Sequence, residues 1–260
     1  MSASSKKVAS VSSSNCPDTS GAYGAEIGHR EMGDNVAVGE DPQPQQVADL
    51  YSEVWEGQGD VDDDVFLRVL GEAAEAIESL GIPYVLMGGM VSRTAGRPRD
   101  THDIDFLVRP DEAGVALEAL RSAGFDTRQS EPQWLYKAVK EGVLVDILFR
   151  ATGDVLLDDE MVDRAKRRDF GGHQMPAMSV EDLIIIKALS HQEHTARHWF
   201  DALALLSNQE VDWDYLVRRA RRRGARRVLS LLLYGQSVDV LVPDKAVHDL
   251  YDVIYQADKD

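Results

Sequence analysis

Phe66, Leu67, Leu70, Ala73, Ala74, Ile77 and Leu80 recur at the three-and-four spacing of one helix face, between the acidic run Asp62–Asp64 and Gly81. The carboxylates suit the positive end of that helix. The period then shortens. Tyr84–Met87 reads as an apolar strand, followed by a Gly88-Gly89 turn, a short helix Met90–Ala95 and a basic loop Gly96–Arg99. A strand is predicted at Asp103–Val108, a helix from Pro110 and Asp111 through Ala123, and further strands at Phe125–Gln129, Trp134–Val139 and Val143–Phe149. From Ser179, which begins a capping-box-like Ser179-x-x-Asp182, the pattern is helical: Leu183–Ser190, His194–Leu206, Trp213–Arg223, Ala225–Val238 and Pro243–Tyr255. The pattern predicts an α+β fold, with a mixed β-sheet and flanking helices over residues 61–178 and a C-terminal helical region over 179–260.

Composition changes the picture mainly at the start. The chain has 260 residues, 43% apolar, and a net charge of −17. Residues 1–60 hold −7 of that charge, with eight serines in the first twenty positions, and read as a disordered acidic, Ser-rich leader. Only Val47–Trp55 suggests a short helix within it. Such a balance argues against non-specific binding to nucleic acid or anionic membrane through overall charge, so a polyanionic partner has to be met locally. The one cysteine, Cys16, permits no intrachain disulfide and no cysteine metal cage, which suits a reducing cytoplasmic setting. The richest apolar runs, Leu183–Leu189 and Val228–Tyr234, are too short to span a bilayer, and Lys6-Lys7 is followed by polar residues, so neither a membrane partner nor export is expected.

The chemistry gathers on carboxylates. Asp103 and Asp105 lie two apart on a predicted strand, so both side chains point to one face while Ile104 and Phe106 point to the other. Their repulsion is relieved by a divalent cation, and hard oxygen ligands suit Mg²⁺. Asp146 sits in the apolar strand Leu144-Val145-Asp146-Ile147-Leu148, where a lone carboxylate is costly to bury, and pairing of the two strands would bring all three acids together. Gly88 and Gly89 let the backbone approach a phosphate closely, the next helix points its N–H groups there, and Ser92 offers a hydroxyl. Together these describe a two-metal nucleotidyl-transfer site binding an NTP, with Asp103, Asp105 and Asp146 as metal-binding and catalytic residues. Alone, each feature has a bland reading: a turn, a solvated strand edge, or Asp146 paired with Arg97 or Arg99. The ordered combination carries the specificity.

This arrangement resembles the DNA polymerase β-like nucleotidyltransferase superfamily over about Tyr84 to Phe149, and implies its type of mixed sheet. Gly96-Arg97-Pro98-Arg99-Asp100-Thr101-His102-Asp103-Ile104-Asp105 is similar to the Arg-x-Thr-x-Asp-Ile-Asp form of AbiEii/AbiGii-type toxins and their relatives. That resemblance implies that Lys187, in Leu183-Ile184-Ile185-Ile186-Lys187, reaches the nucleotide phosphates. It also places Asp201, in Arg197-His198-Trp199-Phe200-Asp201, in the final acidic position of a further motif, although His198 stands where that motif has an Asp. A surface ion pair of Asp201 with Arg197 is the competing reading. His191 and His194 lack further ligands at suitable spacing and are read as helix-end residues.

Residues 218–227 hold seven arginines and no acid. With Trp213, Leu216, Val217 and Ala220 as the inward stripe, the arginines are expected outward, and Arg218, Arg219, Arg222 and Arg223 are candidate acceptor-binding residues on a phosphate-tracking face. A solvated face paired with this protein's many acids is the alternative. The expected function is Mg²⁺-dependent transfer of an NMP group from an NTP to an acceptor hydroxyl. The toxin resemblance implies tRNA as acceptor and a cognate antitoxin as partner; an aminoglycoside-like small-molecule transferase and a catalytically silent nucleotide-binding module are the alternatives.

Overall fold

The computed structural model describes residues 61–96, 101–192 and 196–257, with side chains to residue 255. The leader, its Val47–Trp55 helix, Cys16, Arg97, Arg99 and His194 lie outside the described residues. Helix α1 spans Asp63–Glu78; Asp62 caps it by accepting from the Asp64 amide at 2.8 Å, and Phe66, Leu70, Ala73, Ala74 and Ile77 are buried as the spacing predicts. Strand β1 (Tyr84–Leu86) leads into helix α2 (Gly88–Ala95), which begins on Gly88 rather than after the glycine pair. Strand β2 (Asp103–Val108), helix α3 (Ala113–Ser122), and strands β3 (Asp126–Glu131), β4 (Leu135–Lys140) and β5 (Val143–Leu148) follow close to their expected bounds.

Residues 150–178, for which the sequence pattern predicts nothing, contain helix α4 (Asp159–Arg164) and the hairpin strands β6 (Lys166–Phe170) and β7 (His173–Ala177). The turn between those strands is Gly171-Gly172, both at positive φ, a two-residue hairpin connection that glycine makes without strain. Strand β6 ends the sheet and is mostly exposed and charged, so it shows no apolar alternation.

The seven strands form one mixed sheet in the order β3-β4-β5-β2-β1-β7-β6, with β2 parallel to β5, β1 parallel to β7 and the other pairs antiparallel. Helix α5 (Val180–Ser190) starts from Ser179, whose hydroxyl oxygen accepts from the Asp182 amide at 3.1 Å. It has no polar face: Val180 through Ala188 are all buried, and Leu183, Ile184, Ile185 and Ile186 belong to the same core as Leu86, Phe106 and Ile147 of the sheet. Helices α6 (Arg197–Asn208), α7 (Trp213–Arg222), α8 (Ala225–Ser237) and α9 (Asp244–Ala257) complete the region. No described helix is long and apolar enough to cross a membrane.

The arginines of α7 do not all face outward. Arg219 is buried at 8% exposure, where its Nε donates to Asp182 Oδ1 at 3.1 Å and its Nη1 to Asp158 Oδ2 at 2.5 Å. The Tyr215 hydroxyl donates to Asp182 Oδ2 at 2.8 Å, and the Ser179 hydroxyl donates to the same oxygen at 2.7 Å. Burial pushes the Asp182 carboxyl upward, and these donors oppose that push. This is a structural network joining α4, α5 and α7, on partners too distant in sequence for a helical wheel to reveal.

Candidate active site

Strand β2 enters beside two neighbours that matter. Its antiparallel pairing with β1 sets Leu86 against Phe106, so the chain leaving β1 passes over the start of β2. Its parallel pairing with β5 sets Asp105 directly against Asp146 and Asp103 against Leu144. Asp103, Asp105 and Asp146 are therefore brought together, and each feels the charge of at least one other. Asp105 is pushed up to about 7, first by burial and then by Asp103 and Asp146, with Lys187 and the Gly89 amide acting the other way. Asp146 is pushed up to about 6 by burial, with Asp103 adding to the shift and Lys137 opposing it.

Helix α2 meets this cluster through its glycines. The Gly89 amide donates to Asp105. Gly88 has φ +68°, and a Cβ built on it would overlap the Asp105 carboxylate. Gly88→Ala should therefore destabilise the fold by about 1–2 kcal/mol for the left-handed backbone alone, seen as a lower Tm, and should also displace Asp105 and reduce nucleotidyl transfer. A variant with wild-type melting and wild-type transfer would show that neither constraint matters. The Ser92 hydroxyl, expected at the phosphates, instead donates to the Gly88 carbonyl at 2.8 Å and is 1% exposed. It stabilises the first turn of α2 from within.

Thr101 stands in the Arg-x-Thr-x-Asp-Ile-Asp stretch, where the sequence reading gives it no role; its hydroxyl donates to Asp103 Oδ1 at 2.8 Å and fixes that carboxylate. Its place two residues before Asp103 was the available signal. His102 precedes β2 and is exposed, whereas Ile104 and Phe106, which strand alternation would group with it, are buried. Lys137 was also missed: β4 pairs antiparallel with β5 so that Lys137 lies opposite Asp146, with its Nζ 3.3 Å from Oδ1. Neither Arg97 nor Arg99 is among the described residues, so Lys137 is the pairing partner observed for Asp146.

From the helical region, α5 delivers Lys187 to within electrostatic reach of Asp105, and α6 delivers Asp201 to Lys187, at 3.0 Å between Nζ and Oδ2. Both side chains are buried, at 5% and 0% exposure. Asp201 thus pairs with Lys187 rather than with Arg197. The carboxylate set suits a hard divalent cation, because a dication placed at Asp103 and Asp105 would offset both the burial and the repulsion that raise Asp105. Among the described residues, however, no three His, Cys, Asp or Glu side chains stand as a ready-made metal cage.

The candidate acceptor-binding arginines are dispersed. Arg218 forms a bidentate pair with Glu160 at 2.6 and 2.9 Å, Arg219 is internal, and Arg223 donates to the Gly153 carbonyl at 2.9 Å. Arg222 is exposed and lines a cavity of about 210 Å³ beside Asp158 and Asp182. A larger cavity of about 820 Å³ opens at the N-terminal end of α5, around Arg164, Lys166, Arg168 and Glu181, and includes none of the three aspartates.

Residues 57–235 match a protein family described as uncharacterised nucleotidyltransferase. The chain belongs to this family. No curated protein matches it. Among solved structures, this nucleotidyltransferase is similar to the antibiotic-resistance factor ANT(2'')-Ia, at 15% identity and TM-score 0.44 over 68% of this chain and 94% of that one. It is similar also to lincosamide antibiotic adenylyltransferase LnuA, at 18% identity and TM-score 0.39 over 52% and 92% of the two chains. JHP933 from Helicobacter pylori matches at 15% identity and TM-score 0.40, over 76% and 92%. The mixed sheet, its flanking helices and the C-terminal helices of this transferase are the α+β arrangement expected from its sequence.

Proposed function

We propose that this nucleotidyltransferase uses Mg²⁺ to move an NMP group from an NTP to an acceptor hydroxyl, with Asp103 and Asp105 as metal ligands. The observation that carries this reading is the β2–β5 register, which sets Asp105 against Asp146 beside Asp103 at a cost in mutual repulsion. When bound, Mg²⁺ supplies charge neutralisation to the triphosphate and to the departing pyrophosphate. The Gly88-Gly89 backbone and Lys187 bind the phosphates, and Asp201 orients the lysine. Asp146, pushed up to about 6, is poised to take the acceptor proton near neutral pH. The acceptor oxygen then bonds to the α-phosphorus while the bond to the β-phosphate oxygen breaks.

The toxin-type reading, with tRNA as acceptor and an antitoxin as partner, is supported by the Thr101-x-Asp103-x-Asp105 spacing. A small-molecule acceptor is the reading we favour, because Arg218, Arg219 and Arg223 are already engaged by acids or a carbonyl. Incubation with each α-labelled NTP, Mg²⁺, and either total tRNA or a panel of hydroxylated small molecules tests both. Label on tRNA alone would overturn the preference, and label on nothing would sink the transferase reading. In the same assay, Arg221→Gln with Arg222→Gln should leave small-molecule transfer within about twofold, since exposed charges away from the site contribute little. A tenfold or greater loss on tRNA would instead mark the exposed arginines as an RNA-binding face.

A further inference from the structure

We infer that Lys137 is a built-in cation occupying the second divalent-ion position at Asp146, so that the nucleotide-free chain takes up one divalent ion instead of two. The inference rests on the reading of Asp103 and Asp105 as metal ligands and adds a role for a residue outside every motif in the sequence.

Residues directly opposite on antiparallel strands share one face of the sheet, so the β4–β5 register sends the Lys137 and Asp146 side chains to the same side. Their charged atoms stand 3.3 Å apart, with side chains only 19% and 14% exposed. A lysine that far out of water is held by a counter-charge, and solvent and salt screen such a pair weakly. Asp146 Oδ1 is buried and meets no other hydrogen-bond donor. A dication at Asp146 would therefore have to displace the ammonium or lie against it.

The rest of the cluster agrees with this division. The β2–β5 register brings three aspartates side by side, yet no three-acid metal cluster is assembled among the described residues. Two lysines from different elements split the set: Lys187 of α5 acts on Asp105, and Lys137 of β4 acts on Asp146. Asp103 and Asp105 are left to share one ion, with Asp103 already oriented by Thr101.

Mn²⁺ titration of the full chain without nucleotide, followed by the electron paramagnetic resonance signal of free Mn²⁺, counts the bound ions directly. Wild type and Lys137→Arg should bind one ion per chain, and Lys137→Met and Lys137→Gln should bind two. Circular dichroism identifies any variant that fails to fold, and the glutamine variant serves if the methionine variant does so. Two ions in wild type, or one in a folded Lys137→Met or Lys137→Gln, would overturn the inference. Asp103→Asn separates the underlying assignment: it should abolish the wild-type ion, and an ion that persists there, or no ion in wild type, would overturn the metal reading and this inference with it.

Discussion

Asp105→Asn should abolish nucleotidyl transfer while making the metal-free protein more stable. Loss of a metal-binding carboxylate at the reacting phosphate removes roughly 4 kcal/mol of transition-state stabilisation, or about 10³-fold in rate. The stability gain has the opposite origin. The folded Asp105 carboxyl lies at about 7, whereas an unfolded aspartate lies near 3.9. The folded state thus holds this proton more tightly, and stability from the group is complete below about pH 4 and lost as pH rises through 7. The asparagine variant should lack that slope and melt about 3–6 °C higher at pH 8 without metal. Mg²⁺ should raise the melting temperature of wild type and leave the variant unmoved. Equal melting at pH 8, or retained transfer, would contradict the role given to Asp105.

The second large effect is expected at Lys187. Replacing it with methionine leaves the fully buried Asp201 without its ammonium, a change that typically costs about 3–5 kcal/mol. Lys187→Met should melt on the order of 8–15 °C below wild type. Adding Asp201→Asn removes the stranded charge and should recover most of that loss. It should not recover transfer, because the phosphates still lack their cation, and the KM for NTP should remain at least tenfold raised. If the double variant transfers NMP as well as wild type, Lys187 is only a structural partner of Asp201.

These residues differ in how visible they are in the sequence. Asp103 and Asp105 declare themselves, since the period-two geometry of a strand fixes two side chains on one face whatever the rest of the chain does. Asp146 was visible as a charge in an apolar run, but its register against Asp105 depends on a parallel pairing that no local pattern specifies. Lys137 carries no signal, because lysine on a half-exposed strand is ordinary until its neighbour is known. Arg219 shows the same limit on a helix. Its inward turn depends on Asp158, at the N-cap of α4, and on Asp182 of α5, and local amphipathicity ranked it with the surface arginines. Strands β6 and β7 were hidden by the charges of an edge strand, although Gly171-Gly172 marked their turn.

Helix α5 is buried on every side from Val180 to Ala188 and lodged against the core of the sheet. A helix gripped in this way cannot swing or slide without opening the packing around it. Lys187 is accordingly a fixed post and not a closing arm: on the proposed reading, a triphosphate would have to travel to its lysine.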